Sequence, residues 1–182
     1  FISGPVMPDF AIVFAATGID ETPRGPRKRV TAFLVDVGLP GFDCREGHKC
    51  VSYRGYKTFQ LSFDNVRLGP DQILGEEGRG LELSGKWLGM GRIWVGATCC
   101  GKAERLMNMA ADWAANRKQF GKPIGTFQAT GFRLADMAIG LRTADLLVTD
   151  AVRRADEGKM QDMDAAMVKV YCSEMLNKVA DD

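Results

Sequence analysis

The hydrophobic pattern of this chain of 182 residues changes type once, near Gly69–Pro70, and that change limits the folds that are open to it. Before this point apolar residues form short runs or alternate with polar ones, as Phe59, Leu61 and Phe63 do, with the period of a half-buried strand. After about Leu81 they recur at helical spacing. The sequence therefore predicts an α+β fold, with strands first and helices second.

The strand-forming part is expected to be one domain over residues 1–72. Its clearest strand candidates are a compact apolar run at 10–16 and a β-branched run at 29–37. The polar stretch 19–28 between them carries prolines and a glycine and predicts a surface loop. Because no helical pattern separates the strands, we expect them to pair antiparallel, as a β-barrel or a sheet.

The helical part, residues 73–182, is expected to form an antiparallel up-and-down bundle, because long helices joined by short turns pack in that way. A first helix is predicted over about 81–116, a second from near Thr126, and a third capped by Asp162. The third pattern continues to Asp182 with no glycine or proline to end it, so we expect a truncated bundle.

The predicted first helix contains five glycines between residues 85 and 101. Each is expected to destabilise a helix by up to about 1 kcal/mol relative to alanine. A helix that tolerates so many glycines usually needs another helix or a ligand to approach its backbone closely.

A glycine-rich stretch, Gly75–Gly80, lies between the two parts of the chain. Such a loop can bind phosphate, but this one lacks the Lys-Ser/Thr pair of a P-loop. We therefore favour a hinge between domains over a phosphate site.

Composition and charge exclude several classes of function. The 24 Lys and Arg residues against 23 Asp and Glu leave a net charge of +1, so we expect no nucleic-acid partner and no attachment to an anionic membrane. The longest apolar run, 93–100, is far too short to span a bilayer. No signal-peptide pattern is visible, so we expect a bacterial cytoplasmic protein, or a mitochondrial matrix protein if the source is eukaryotic.

The five cysteines and the single histidine do not suggest a metal site. Cys44, His48 and Cys50 are close in sequence but would lack a fourth zinc ligand at the usual spacing. We expect no metal, and reduced thiols.

The break between the first two helices, Arg117–Gln128, has an unusual composition for a connector. Cationic, amide and aromatic side chains are concentrated there, and Gly121, Pro123 and Gly125 restrict the backbone. From these residues alone, a cofactor-binding corner and a charged turn that binds nothing are equally open.

The sequence RKQFGKPIGTFQ of this segment resembles the acyl-CoA dehydrogenase family. Further segments resemble the family in the family's own order: F-I-S-G at 1–4, a hinge from Val51–Gly55 through Gly75–Gly78, G-R-I at 91–93 and L-A-D-M at 134–137. The ordered set covers essentially the whole chain. The family begins with an all-helical domain and continues beyond this segment, so the resemblance implies the middle β-domain and part of the C-terminal helical bundle of a larger flavoprotein.

The resemblance implies an FAD site at the corner. Arg117 would pair with the pyrophosphate of an FAD that is held mainly by the adjacent subunit, and Gln119 would add a polar contact. Phe120 would pack against the cofactor, with Phe127 and Gln128 in support. Without a cofactor, Phe127 would be ordinary core and Arg117 a solvated cation at a helix end.

Two further cofactor contacts are implied near the amino end. Phe1 occupies the position of a family tryptophan that packs against the flavin ring. Ser3 replaces a threonine whose hydroxyl meets flavin N5, and serine keeps the hydroxyl.

No catalytic residue is expected within this chain. Arg92 would lie near the acyl-CoA part of the pocket and contact substrate. Gly91 occupies the position at which the isovaleryl branch of the family has its catalytic glutamate, and glycine cannot abstract a proton. The other branch places its glutamate further along, so we expect the base beyond Asp182.

The implied reaction is α,β-dehydrogenation of an acyl-CoA thioester by FAD, with electrons passed to an electron-transfer flavoprotein. This chain alone is expected to be inactive. A neighbour's FAD at Arg117 implies a homodimer or homotetramer. An acyl-CoA oxidase or flavin monooxygenase of the same fold, and a non-catalytic flavin-binding or helical interaction protein, remain open alternatives.

Overall fold

The structure is a computed structural model that describes residues 2–4, 6–51 and 53–182. The predicted α+β class is confirmed, because antiparallel strands come first and long helices follow. The chain divides into two compact units, of which one ends at Ser84 and the other spans Gly85–Asp182.

Within the described residues the first unit contains five strands. They are β1 (Ile2–Gly4), β2 (Phe10–Thr22), β3 (Gly25–Asp36), β4 (Phe42–Glu46) and β5 (Lys57–Phe63). One sheet has the strand order β1-β5-β4, and β2 and β3 form a second, and all pairs are antiparallel. Neither sheet closes into a barrel among these strands, so the barrel alternative stays a prediction.

The β2–β3 hairpin corrects the prediction of a surface loop over 19–28. Ile19 is paired with Lys28, and the pairing continues to Thr22 opposite Gly25. The Thr22 hydroxyl donates to the Gly25 carbonyl at 2.7 Å, and Gly25 has a φ of +102°. The prediction was wrong because an exposed hairpin satisfies its backbone by strand pairing and needs no apolar face.

The stretch Gly75–Gly80, called the glycine loop below, packs on β3. The Gly78 N–H donates to the Thr31 hydroxyl at 2.8 Å. A Cβ added at Gly80 would lie 2.7 Å from the backbone nitrogen of Ala32, so a side chain has no room there. Thr31 and Ala32 are fully buried. Close packing on β3 therefore accounts for these glycines without a bound phosphate.

The rest of the chain is mainly helical. The helices are α1 (Gly80–Asn116), α2 (Gln128–Asp156) and α3 (Asp162–Asp181), and two short strands, β6 (Lys118–Gln119) and β7 (Lys122–Pro123), lie between α1 and α2. Among the helices described, none combines the length and apolar character needed to cross a membrane.

The amino end of α3 differs by one residue from its prediction. The N-cap is Gln161, whose backbone N–H donates to the Asp164 carboxylate at 2.9 Å. The expected cap, Asp162, is instead the first helical residue. A carboxylate in the first turn of a helix is also stabilised by the helix dipole. Asp162 therefore still predicted the start of α3 to within one residue.

In the second unit α1 and α3 approach each other closely at Gly96. A Cβ at this position would overlap the side chain of Val168 and lie 3.5 Å from the sulfur of Cys172. Val168 and Cys172 are completely buried in the core of this unit. The expectation that glycines of α1 permit close approach of another helix is confirmed at this position. A Cβ at Gly85 or Gly101 would meet nothing within 4 Å.

Candidate functional site

The segment Arg117–Gln128, called the corner segment below, forms a small hairpin that begins where α1 ends. Strands β6 and β7 pair antiparallel. Phe120 and Gly121 form the turn between them, with φ values of +52° and +79°. The Ile124 N–H donates to the Arg117 carbonyl at 2.8 Å, which ties the end of the hairpin to its start. The turn residues are thereby held at the tip of a hydrogen-bonded loop.

Phe120 combines an unfavourable backbone conformation with an exposed ring. A positive φ is a rare conformation for a bulky residue and costs on the order of 1 kcal/mol or more. Its side chain is 93% exposed and meets Phe127 edge-on, with ring centroids 6.2 Å apart. Neither the positive φ nor the exposure of the ring stabilises the fold. Strained residues cluster at sites that bind ligands, and an open aromatic ring is suited to packing against one.

Two cations of the corner segment, Arg117 and Lys122, contact aromatic rings rather than carboxylates in the described residues. Within the described residues no ion pair involves Arg117, Lys118 or Lys122. The Arg117 guanidinium lies 6.0 Å from the ring centroid of Trp113, and Lys122 Nζ lies 4.5 Å from that of Phe127. A cation–π contact orients a cation without neutralising its charge. These groups therefore remain able to bind an anion such as phosphate.

Hydrogen bonds and close packing fix the second half of the corner segment. The Thr126 hydroxyl donates to the Pro123 carbonyl at 2.7 Å. A Cβ at Gly125 would lie 3.1 Å from the Ala114 carbonyl oxygen, so this turn lies close against the end of α1. Phe127 is half-buried and is the N-cap residue of α2.

The two predicted amide contacts are open to solvent. Gln119 ends β6 and Gln128 begins α2, and both side chains are exposed. The corner segment thus presents a guanidinium, two amides and an aromatic ring on one short loop. Its predicted cofactor roles stay predictions.

The two predicted flavin contacts near the amino end belong to the other compact unit. Ser3 lies in β1, where it pairs with Thr58 of β5, and its side chain is exposed. Thr58 is buried, and its hydroxyl donates to the His48 carbonyl. Phe1 lies outside the described residues.

Arg92 and Gly91 lie side by side on α1. Arg92 lines a cavity of about 370 Å³ together with residues of α3, namely Asp162, Met163, Ala166, Lys169 and Val170. This lining combines two cations, one carboxylate and apolar side chains, and the contact of Arg92 with substrate stays a prediction. A Cβ at Gly91 would meet nothing within 4 Å, so the position has space for a side chain but carries no base.

Two of the cysteines, Cys100 and Cys172, are unreactive thiols inside the helical unit. All five are free, and burial raises the pKa of Cys172 to about 12 and also raises the pKa of Cys100. Thiols that keep their protons at neutral pH are poor nucleophiles and poor metal ligands. In residues 2–4, 6–51 and 53–182 no three His, Cys, Asp or Glu side chains are placed to hold a metal ion.

Sequence reasoning missed Trp113 and Lys122. Trp113 precedes Arg117 by four residues, a spacing that places two side chains on one face of a helix, so this contact could have been found. Lys122 reaches Phe127 only because the hairpin folds back, and residue spacing does not show that.

Comparisons with known proteins show which family the chain resembles. A family model described as "Acyl-CoA dehydrogenase, C-terminal domain" matches residues 78–182. The short-chain specific acyl-CoA dehydrogenase of Megasphaera elsdenii is 35% identical over 179 residues, which are 98% of this chain and 46% of that protein. A subunit of the caffeyl-CoA reductase–Etf complex of Acetobacterium woodii is 33% identical over 98% of this chain and 46% of that protein.

Solved structures show the same similarity. The structure of butyryl-CoA dehydrogenase from Megasphaera elsdenii matches with a TM-score of 0.82 and 35% identity, over 95% of this chain and 44% of that one. The chain spans about half the length of the curated relatives that it matches.

Proposed function

This chain belongs to the acyl-CoA dehydrogenase family, and on that premise we propose that it is part of an FAD-dependent enzyme that introduces an α,β double bond into an acyl-CoA thioester. The electrons pass to an electron-transfer flavoprotein. Relatives named as acyl-CoA dehydrogenases, and one named as part of an Etf complex, support this proposal.

The observation that carries the proposal is the exposed, strained Phe120 three residues from Arg117, which forms no ion pair within the described residues. A dinucleotide such as FAD has an anionic diphosphate and flat, polarisable rings. The corner segment offers a planar guanidinium without a carboxylate partner in the described residues, and an aromatic ring that is 93% exposed. The donor set of the corner segment therefore fits FAD.

Each residue of the corner segment has a separate role in this proposal. Arg117 binds the diphosphate, since its fork of N–H donors matches phosphate oxygens. Gln119 donates a neutral hydrogen bond beside it, and Phe120 packs against the cofactor. Phe127 holds the Phe120 ring edge-on, and Gln128 supports the turn at the start of α2.

The remaining residues act on the reacting part of the complex. FAD supplies the acceptor for a hydride from the substrate β-carbon, while a general base removes the α-proton. Phe1 and Ser3 contact the flavin ring, and Arg92 contacts the acyl-CoA. Gly91 has no side chain that could act as the base, so the proposal requires a carboxylate from outside these residues.

Assembly follows from the role of Arg117. The FAD that it contacts is held mainly by a neighbouring subunit, so cofactor binding requires a homodimer or homotetramer. Sedimentation of the FAD-loaded protein is expected to show an oligomer. A monomer with stoichiometric FAD would contradict this assembly.

The same proposal assigns residues 1–72 to a middle β-domain whose sheets are part of a barrel, and residues 73–182 to part of a helical bundle. Limited proteolysis of the full-length protein tests the boundary. First cleavage between β5 and the start of α1 would support it, whereas first cleavage within α2 would not.

The visible absorption spectrum of the full-length protein tests the function. Anaerobic addition of a panel of acyl-CoA thioesters is expected to bleach a flavin band for at least one of them. Slow reoxidation in air and fast reoxidation by an electron-transfer flavoprotein would establish the dehydrogenase, and fast reoxidation in air would favour an oxidase. A flavin band that no thioester bleaches would overturn the reaction. If the protein showed no flavin band after incubation with FAD and removal of the free cofactor, the corner segment would be a turn that binds no cofactor.

A further inference from the structure

Trp113 is a large side chain that the fold does not need for its core. It lies in the last turn of α1 and is 63% exposed. It also borders a cavity of about 390 Å³ that includes Ile124, Thr130 and Arg133, so open space adjoins it. Burial in the core therefore does not explain the tryptophan at this position.

Trp113 contacts Arg117 in two ways. Its carbonyl accepts the Arg117 backbone N–H at 2.8 Å, the last helical hydrogen bond before the corner segment. Its ring lies 6.0 Å from the Arg117 guanidinium carbon. Any residue at position 113 would supply the carbonyl, so the ring contact is the one that depends on tryptophan.

We propose that Trp113 is a positioning residue that orders the Arg117 guanidinium for binding the diphosphate of FAD. This inference rests on the function proposed above. A free arginine side chain loses rotamer entropy when it is fixed, so a ring that restricts it before binding raises affinity. An indole ring does this without neutralising the charge, whereas a carboxylate would compete with the phosphate.

A double-mutant cycle on the full-length protein tests the inference. FAD affinity of the apoprotein is measured by flavin fluorescence for the wild type, Trp113→Ala, Arg117→Met and the double variant. Arg117→Met is expected to weaken binding by roughly 10- to 100-fold, the effect of a charge-assisted hydrogen bond. Trp113→Ala is expected to weaken it by about two- to five-fold, the effect of an exposed cation–π contact.

The cycle separates positioning from a purely structural role. If Trp113 acts through Arg117, then Trp113→Ala has no further effect in the Arg117→Met background. Trp113→Phe, which keeps an aromatic face, is expected to recover most of the affinity. Trp94→Ala is the matched control, since Trp94 is 68% exposed on the same helix and lies far along it from the corner segment. It should leave FAD affinity unchanged.

Each outcome has one meaning. Unchanged affinity in Arg117→Met overturns the proposed function of the corner segment itself. The role of Trp113 alone is overturned if Arg117→Met weakens FAD binding but Trp113→Ala has no effect. It is also overturned if Trp113→Ala weakens FAD binding equally in the wild-type and Arg117→Met backgrounds. Should Trp113→Ala not fold, as judged by circular dichroism, Trp113→Leu replaces it in the cycle with the same interpretation.

Discussion

The two segments that flank α1 both contain glycines and an arginine, but these residues have different surroundings in each. In the glycine loop, Gly80 lies against the backbone of Ala32 and the Gly78 N–H is bonded to Thr31. In the corner segment, a Cβ at Gly121 would meet nothing within 4 Å, and Phe120 extends into solvent. Internal contacts therefore explain the first segment, while the second segment keeps an aromatic ring that is largely exposed and contacts only the edge of Phe127.

The arginines of the two segments show the same contrast. Arg79 pairs with Glu76 at 3.1 Å and with Glu82 at 2.6 Å, and these carboxylates hold the pKa of its guanidinium above the ordinary value. Arg117 has no such partner within the described residues and lies instead near the ring of Trp113. A cation that is already paired with carboxylates has little charge left for a ligand, whereas a cation without a carboxylate partner remains available to one.

The largest effect on stability is expected for Gly80→Ala. The added Cβ would lie 2.7 Å from the Ala32 nitrogen and 2.9 Å from the Thr31 carbonyl carbon, and backbone atoms cannot move aside as a side chain can. Overpacking of this kind should lower the free energy of unfolding by about 2–3 kcal/mol. Urea unfolding followed by circular dichroism measures it.

Gly85→Ala is the matched control for that variant. Gly85 is also in α1, but a Cβ there would meet nothing within 4 Å. Alanine is the better helix former, so this change should raise the free energy of unfolding by up to about 1 kcal/mol. Equal destabilisation by both substitutions would show that packing on β3 is not the reason for Gly80.

The next effect belongs to the corner segment and concerns binding. Phe120→Gly removes an exposed ring and relieves the strain of a side chain at a φ of +52°. The free energy of unfolding should therefore not fall. Affinity of the full-length protein for FAD should fall by about five- to tenfold, the contribution of one aromatic packing contact. Fluorescence titration with FAD and urea unfolding measure the two quantities separately.

Trp87→Ala shows whether that loss is specific. Trp87 is also a strongly exposed aromatic residue, but it lies near the start of α1. FAD affinity should be unaffected by its removal. A stability loss in Phe120→Gly without a loss of affinity would make the ring a structural element and remove the contrast between the two segments.

Much of the fold was predictable because burial imposes a period on the sequence. The alternation at Phe59, Leu61 and Phe63 lies within β5, and the predicted helix over 81–116 is α1 to within one residue at each end. The pairing over 19–28 was not predictable in the same way, because both faces of that ribbon are largely exposed and no period remains.

The sequence singled out the corner segment as the candidate site, but the geometry of that segment was not predictable. The residues of the corner segment were identified by resemblance, since their order is specific. The positive φ of Phe120 could not be predicted, because hairpin turns of this kind favour Asn or Gly and a phenylalanine argues against one. The contact of Lys122 with the Phe127 ring depends on that turn and was missed with it.

A smaller effect is expected for Gly121→Ala. In contrast with Gly80, this glycine has open space and is needed for its φ of +79°. Alanine in that conformation should lower the free energy of unfolding by about 1 kcal/mol. Gly101→Ala, at an equally open but helical position, should be neutral or stabilising. Urea unfolding of both variants shows whether a glycine is needed at Gly121 for its positive φ, since a side chain has room at both positions.

The smallest effect is expected for Arg79→Met. Both of its ion pairs are exposed, with more than half of each side chain in solvent, so screening and side-chain entropy offset most of their attraction. The midpoint of urea unfolding should not change measurably, and neither should FAD affinity. Arg117→Met should also leave the midpoint unchanged, but it should weaken FAD binding and make that binding less sensitive to salt. If instead Arg79→Met weakened FAD binding as much as Arg117→Met, pairing with carboxylates would not distinguish a structural cation from a ligand-binding one.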